Sequence, residues 1–149
     1  MNLHTKGAEG DVLTLLDHYA IDRAIVHWYS GPLDTALALA ERGVWFTIGV
    51  EVHSSRVIQE LARRLPLAQL LSETDNPGGL QWLTGEIGMP RHLPGVIEAL
   101  GRLRGVAAAE MQAIIRQNMG RLVAGDRRLA VVHGQLTSGA DGPGVPDRA

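Results

Sequence analysis

Three side chains with the chemistry of metal ligands stand where apolar runs give way to loops rich in glycine and proline. His27 lies in Ala24-Ile25-Val26-His27-Trp28-Tyr29-Ser30-Gly31-Pro32, Asp75 in Leu70-Leu71-Ser72-Glu73-Thr74-Asp75-Asn76-Pro77-Gly78-Gly79, and His4 follows Met1-Asn2-Leu3. Imidazole with carboxylate is the donor mix of hydrolytic divalent-metal sites, where the ion acidifies a bound water and a carboxylate takes its proton. The chain has no cysteine, so any ion would be held by nitrogen and oxygen.

Other residues flank these three, and each has a plainer reading. Glu73 precedes Asp75 by two residues and so shares its strand face, as a support for a ligand or as a hydrogen-bonding partner of a loop. Glu51 closes another apolar run and either lines a pocket or is a solvated strand-end acid. Lys6, Ser30 and Gly31 offer donors to a phosphate, although Gly31-Pro32 is also an ordinary turn and helix start. Trp28, Tyr29, Trp45, Phe46 and Trp82 cluster in or beside the same segments, where they could stack bases or exclude water. Asp75 itself could be an Asx turn before Asn76-Pro77, and His27 a structural histidine. His18, His53, His92 and His133 are expected at helix ends or in loops. Arg102, Arg104, Arg116, Arg121, Arg127 and Arg128 are expected on solvated helix faces.

The elements that must position these groups follow from periodicity. Val12, Leu13, Leu15, Leu16 and Tyr19 recur at helical spacing after the acids Glu9 and Asp11, and lead into Ala24-Ile25-Val26. Gly31-Pro32 opens an Ala/Leu-rich helix over 33–42, Gly43 stops it, and residues 44–50 have strand composition. Ser54 or Ser55 caps a helix that Pro66 ends, and 67–71 leads to Asp75. Alternating apolar strands and helices predict an α/β fold with a parallel sheet, its strands near 1–4, 24–28, 45–50 and 69–73. His4, His27, Glu51 and Asp75 then stand at the C-terminal ends of four successive strands, the rim where such folds bind ligands. Residues 76–91 read as a long loop, followed by helices near 93–104 and 107–118.

Composition narrows the class. A chain of 149 residues, 45% hydrophobic and 20% charged, suits one globular domain. A net charge of −2 and a pI near 6.3 give no electrostatic case for broad nucleic-acid binding. No apolar run is long enough for a membrane span and no export signal is visible, so a cytoplasmic protein without a membrane partner is expected. No Walker loop, GxGxxG, His-Glu-x-x-His or Gly-x-Ser-x-Gly occurs.

Together, His4-Thr5-Lys6-Gly7-Ala8-Glu9, Val26-His27-Trp28-Tyr29-Ser30-Gly31, Phe46-Thr47-Ile48-Gly49-Val50-Glu51, Glu73-Thr74-Asp75-Asn76-Pro77-Gly78-Gly79 and Gln117-Asn118-Met119-Gly120-Arg121-Leu122 resemble the second half of a TatD-type metal-dependent hydrolase, over about residues 1–125. The resemblance implies a (β/α)8 TIM barrel of the amidohydrolase superfamily that cleaves DNA phosphodiesters with divalent ions, zinc, magnesium or manganese. It makes His4, His27 and Asp75 metal ligands, Asp75 also catalytic; beside them Lys6, Trp28, Ser30, Glu51 and Glu73 are the candidate substrate-binding or supporting residues that their own positions suggest. The family's His-x-His pair and its bridging glutamate have no counterpart here, and a whole barrel takes about 250 residues. The expectation is therefore a partial TIM barrel, the last four βα units, in residues 1–125, with 126–149 a flexible extension. The alternative to an enzyme is a truncated, inactive half-barrel that self-associates or pairs with a separate N-terminal half.

Overall fold

In the computed structural model, which describes residues 1–138, the apolar runs form four short strands. They are β1 (Asn2–Leu3), β2 (Ile25–Val26), β3 (Trp45–Ile48) and β4 (Leu70–Ser72), all parallel, in the spatial order β1-β2-β3-β4. The strands are shorter than their apolar runs, so Glu51, Glu73 and Asp75 lie just beyond them. Each crossover is helical: α1 (Glu9–His18), α2 (Leu33–Glu41) and α3 (Arg56–Arg64), the last preceded by a 3₁₀ turn at Val50–His53 and followed by another at Leu67–Gln69. Ser55 caps α3 by accepting the Ile58 N–H. Gly43 ends α2 at φ +90°, a conformation that a side chain disfavours.

Register puts Leu3, Val26, Phe46 and Leu70 in one row across the sheet. Val26, Phe46 and Leu70 are fully buried against Leu39, Leu61, Val96 and Leu100 from the covering helices. Because side chains alternate along a strand, Ile25, Trp45 and Thr47 point to the other face, where they are only partly buried.

Residues 76–91 are not one long loop. They contain α4 (Gly78–Thr84) and a 3₁₀ turn at Pro90–His92. Pro77, Gly78 and Gly79 hid this helix from a propensity reading; Leu80 and Leu83, three apart, fix it by packing on the core. Next come α5 (Leu93–Arg104), ended by Gly105 at φ +70°, and α6 (Ala108–Val123), which continues past Asn118. Part of the segment expected to be a flexible extension is helical too: a 3₁₀ turn at Arg127–Leu129 and α7 (Ala130–Thr137), whose Gln135 and Leu136 carbonyls accept from Arg116. That contact is tertiary, and local composition does not reveal it. The remaining extension lies outside the described residues. His18, His53 and His92 end their elements as expected, whereas His133 lies inside α7.

The solvated-arginine expectation fails at Arg104, while Arg121 is exposed as expected but also hydrogen-bonded to the chain. Arg104 is partly buried and donates to the Leu65 carbonyl. Arg121 donates to Ala68 O and to Asn118 Oδ1, with its guanidinium 5.8 Å from the Trp45 ring centre. Asn118, 1% exposed, donates both amide hydrogens, to Leu67 O (2.8 Å) and Leu70 O (2.7 Å). It thereby pins α6 to the entry of β4. Replacing Asn118 with Ala orphans two carbonyls, one of them in a buried bond, and should lower unfolding free energy by about 1–3 kcal/mol in urea titration; an unchanged midpoint would contradict this tether.

Candidate functional site

Parallel pairing sends all four strand C-termini to one edge, and the sheet register decides which groups meet there. One residue beyond the buried row, His4 and His27 emerge side by side, their ring centres 4.9 Å apart and tilted by 49°. The His27 N–H donates to Leu3 O (3.0 Å), and the Glu73 N–H donates to Ile48 O (3.0 Å), so both residues continue the ladder. Glu73 then reaches back across the sheet. Its Oε1 accepts the Trp28 N–H at 3.0 Å, and its Oε2 lies 3.6 Å from His27 Nδ1. The second distance is too long for a hydrogen bond but suits an ion pair with a protonated ring. A carboxylate behind an imidazole is the arrangement that orients ligand histidines.

The residues after the strands adopt costly backbone geometry. Lys6, Trp28 and Asp75, none of them glycine, have φ of 26°, 50° and 47°, a region that side chains populate sparsely and that concentrates at functional sites. Glu9 holds the first of these turns. Its Oε1 accepts from Gly7 N–H (2.9 Å) and Thr5 Oγ1 (3.3 Å), and the Gly7 amide, together with its own, keeps its carboxyl below the usual range. Gly31 is required beside it, because a Cβ there would sit 2.7 Å from Glu9 Cγ and 2.9 Å from the Tyr29 hydroxyl. That hydroxyl donates to Pro32 O at 2.7 Å, and burial, reinforced by the charges of Glu9 and Asp34, pushes its pKa up to about 12.

These turns border a pocket of about 420 Å³ lined by His4, Lys6, Trp28, Ser30, Glu51 and Asp75, with Ser55, Ile58, Gly78, Gly79, Trp82 and Leu83 completing the wall. Six of the residues expected from sequence thus share one cavity, while His27 and Glu73 stand behind it against His4 and Trp28. Sequence reasoning did not place Ser55, Ile58, Gly79 or Leu83 in the site. Ser55 signalled only a helix cap and Ile58 an apolar helix position, while Gly79 and Leu83 fell in the segment read as a long loop.

Glu51 is neither a solvated acid nor a fully satisfied one. It is 5% exposed in the 3₁₀ turn Val50–His53, with Oε1 accepting the Gly49 N–H at 3.3 Å and Oε2 without a partner. Burial pushes its pKa up to about 7; the charges of Glu73 and Asp75 act in the same direction, against the amides of Glu51 and Gly49.

A family model described as "TatD related DNase" matches residues 1–124. The chain belongs to this family. It is 24% identical over 120 residues to deoxyribonuclease TATDN3 of Homo sapiens, a match covering 79% of this chain and 43% of that protein. It is 27% identical over 129 residues to the metal-dependent hydrolase YcfH of Escherichia coli K12, covering 80% and 47%. The crystal structure of YjjV, a TatD homologue from E. coli K12, superposes with a TM-score of 0.73 at 27% identity, covering 81% of this chain and 48% of that one. A TatD-family hydrolase structure from Entamoeba histolytica shares the fold at 13% identity, with a TM-score of 0.69 and coverage of 82% and 50%. The chain spans about half the length of the relatives it matches.

TatD membership implies a divalent metal ion, and the donor types here suit one. Their placement does not. Among the described residues no three His, Asp or Glu side chains are grouped so as to hold an ion. His4 and His27 come together, Asp75 shares the cavity with His4, and the expected three-ligand set is not assembled by these residues alone. No described helix is long and apolar enough to cross a membrane.

Glu51 gives the site a measurable pH signature. Its folded-state pKa is raised from the ordinary 4.5 to about 7, so its contribution to stability is intact below about pH 4.5 and lost as pH rises through about 7, on the order of 3 kcal/mol in all. Glu51→Gln should flatten that stretch of the stability profile when unfolding is followed in chelator. An unaltered slope would show that Glu51 is not the buried acid responsible.

Proposed function

We propose that this chain contributes to a TatD-type site that hydrolyses phosphodiesters, with DNA as the substrate class. The observation that carries the reading is the His4–His27 pair, backed by Glu73 and set at the same strand-end rim as Asp75. The relatives called deoxyribonuclease and metal-dependent hydrolase support the reaction class. In this reading Glu73 fixes the His27 ring, Lys6 offers an ammonium to a phosphate oxygen, and the exposed Asp75 carboxylate accepts the proton of an attacking water.

A second reading is favoured by the sheet itself. Among the described residues β1 pairs only with β2 and β4 only with β3, leaving two strand edges and the half-exposed Ile25 and Trp45 on the site face. Such edges invite pairing. We propose accordingly that the chain is a half-barrel, inactive alone, whose face is covered by a second copy or by a separate N-terminal half.

Metal-stimulated cleavage of a DNA oligomer, measured over a range of chain concentrations alongside mass in solution, separates the two. The expected result is cleavage at least tenfold weaker than a complete site gives, rising with self-association and lost in His27→Ala. Strong, His27-dependent cleavage by a monodisperse monomer would overturn the half-barrel reading, and no cleavage with any metal or concentration would overturn the enzymatic one.

A further inference from the structure

Trp28 and Trp82 line the same cavity as His4 and Lys6, and the hydrolytic reading gives Trp82 no task. Trp82 is 78% exposed on α4, although tryptophan is a residue that folding normally buries. It lies three residues after Gly79, hence on the same side of the helix. Gly79 is itself pressed against Trp28. A Cβ at that position would fall 2.7 Å from Trp28 Cζ3 and 2.8 Å from Thr74 O, so only glycine lets the Trp28 ring lie on the helix. Positive φ at Trp28 and the Glu73 hydrogen bond to its N–H fix where that ring emerges. Two of the chain's three tryptophans therefore border one cavity, the first held by its surroundings and the second presented to solvent.

The same lining also carries polar groups. Lys6 supplies an ammonium, and Ser30 and Ser55 supply hydroxyls. A ligand that satisfies both kinds of group carries an anion and a flat apolar ring. The charge argument selects the ring's bearer: a polypeptide segment would place no anion at Lys6 by necessity, whereas every nucleotide unit joins a phosphate to a planar base. At about 420 Å³ the cavity is in the range for a single small ligand, too small for a duplex.

We propose that Trp82, with Trp28 beside it, is a stacking platform for one unpaired nucleobase whose phosphate is held at Lys6, so that these tryptophans set the preference of the site for nucleotides over other phosphodiesters. Stacking on an aromatic side chain tolerates any base, since each has a π face. The platform therefore selects for a base without selecting which one. The inference rests on the phosphodiester reading of the same cavity.

The test is binding, done in chelator so that cleavage plays no part. Purified full-length chain is titrated with a short oligothymidylate and with an abasic oligomer of equal length and charge, followed by tryptophan fluorescence and by calorimetry. The expected result is quenching by the oligothymidylate and an affinity about tenfold above the abasic oligomer, the scale of one stacked base. Trp82→Ala should remove that discrimination while leaving abasic binding and the melting temperature in place, and Trp82→Phe should restore most of it. Equal affinity for the two oligomers, no binding of either, or a Trp82→Ala effect seen only as altered self-association in sedimentation would each overturn the platform, the last assigning Trp82 to an interface between polypeptides. Discrimination without metal-stimulated cleavage would leave the platform standing and remove only the hydrolytic reading; cleavage without discrimination would do the reverse.

Discussion

A single cross-strand row of apolar side chains, Leu3, Val26, Phe46 and Leu70, holds the geometry of the site. Strands of two to four residues make too few ladder hydrogen bonds to fix their own register. The row does it instead, because only this alignment buries Val26, Phe46 and Leu70 under the helices at once. A slip of one residue in a strand would turn its member of this row to the opposite face and bring the neighbouring side chain into its place. The same register brings His4 beside His27 one step beyond the row and lets Glu73, three residues after Leu70, reach both His27 and the Trp28 amide. Packing on one face of the sheet thus places chemistry on the other.

Three carboxylates near the rim divide the work by their partners. Glu9 and Glu73 accept backbone N–H groups and act mechanically: one closes the Thr5-Lys6-Gly7 turn, the other ties the end of β4 to the end of β2. Hydrogen bonds to an ionised carboxylate are among the stronger ones, which is what the positive φ values at Lys6 and Trp28 require to persist. Glu51 has only its own turn to bond to, and burial drives it toward the neutral form. Removing Glu73 would loosen a histidine and a tryptophan together; removing Glu51 would relieve a cost.

Much of this was legible in the sequence. Alternating apolar runs and helical periods gave the parallel α/β order, and the breaks at Gly31-Pro32, Gly43 and Pro66 marked real boundaries, since each acts through local backbone geometry. The placement of His4, His27 and Asp75 at one rim followed from strand ends in a parallel sheet. What local patterns could not show were features made by tertiary contact. α4 forms despite Pro77-Gly78-Gly79 because Leu80 and Leu83 find the core; α7 is braced by Arg116; the partly buried Arg104 donates to a carbonyl, as does the exposed Arg121. The state of Glu51 was equally hidden, for whether a strand-end acid is solvated depends on what folds over it.

The charge balance of the rim points to what it lacks. Glu51, Glu73 and Asp75 are close enough for the charges of the last two to raise the pKa of the first, and the cavity lining offers one ammonium, on Lys6, in return. Under the proposed function a phosphodiester would bring a further negative charge to this edge, and in a partly desolvated cavity unit charges a few ångströms apart repel by several kcal/mol at an effective dielectric of about 20. Lys6 alone does not offset that. Such a substrate would need additional positive charge, from an ion or from groups of a second polypeptide face. In the half-barrel reading proposed above, the open side of the sheet, where Ile25 and Trp45 are half-exposed, is the direction from which such groups would come, so the charge balance and the uncovered apolar surface would be met at the same place.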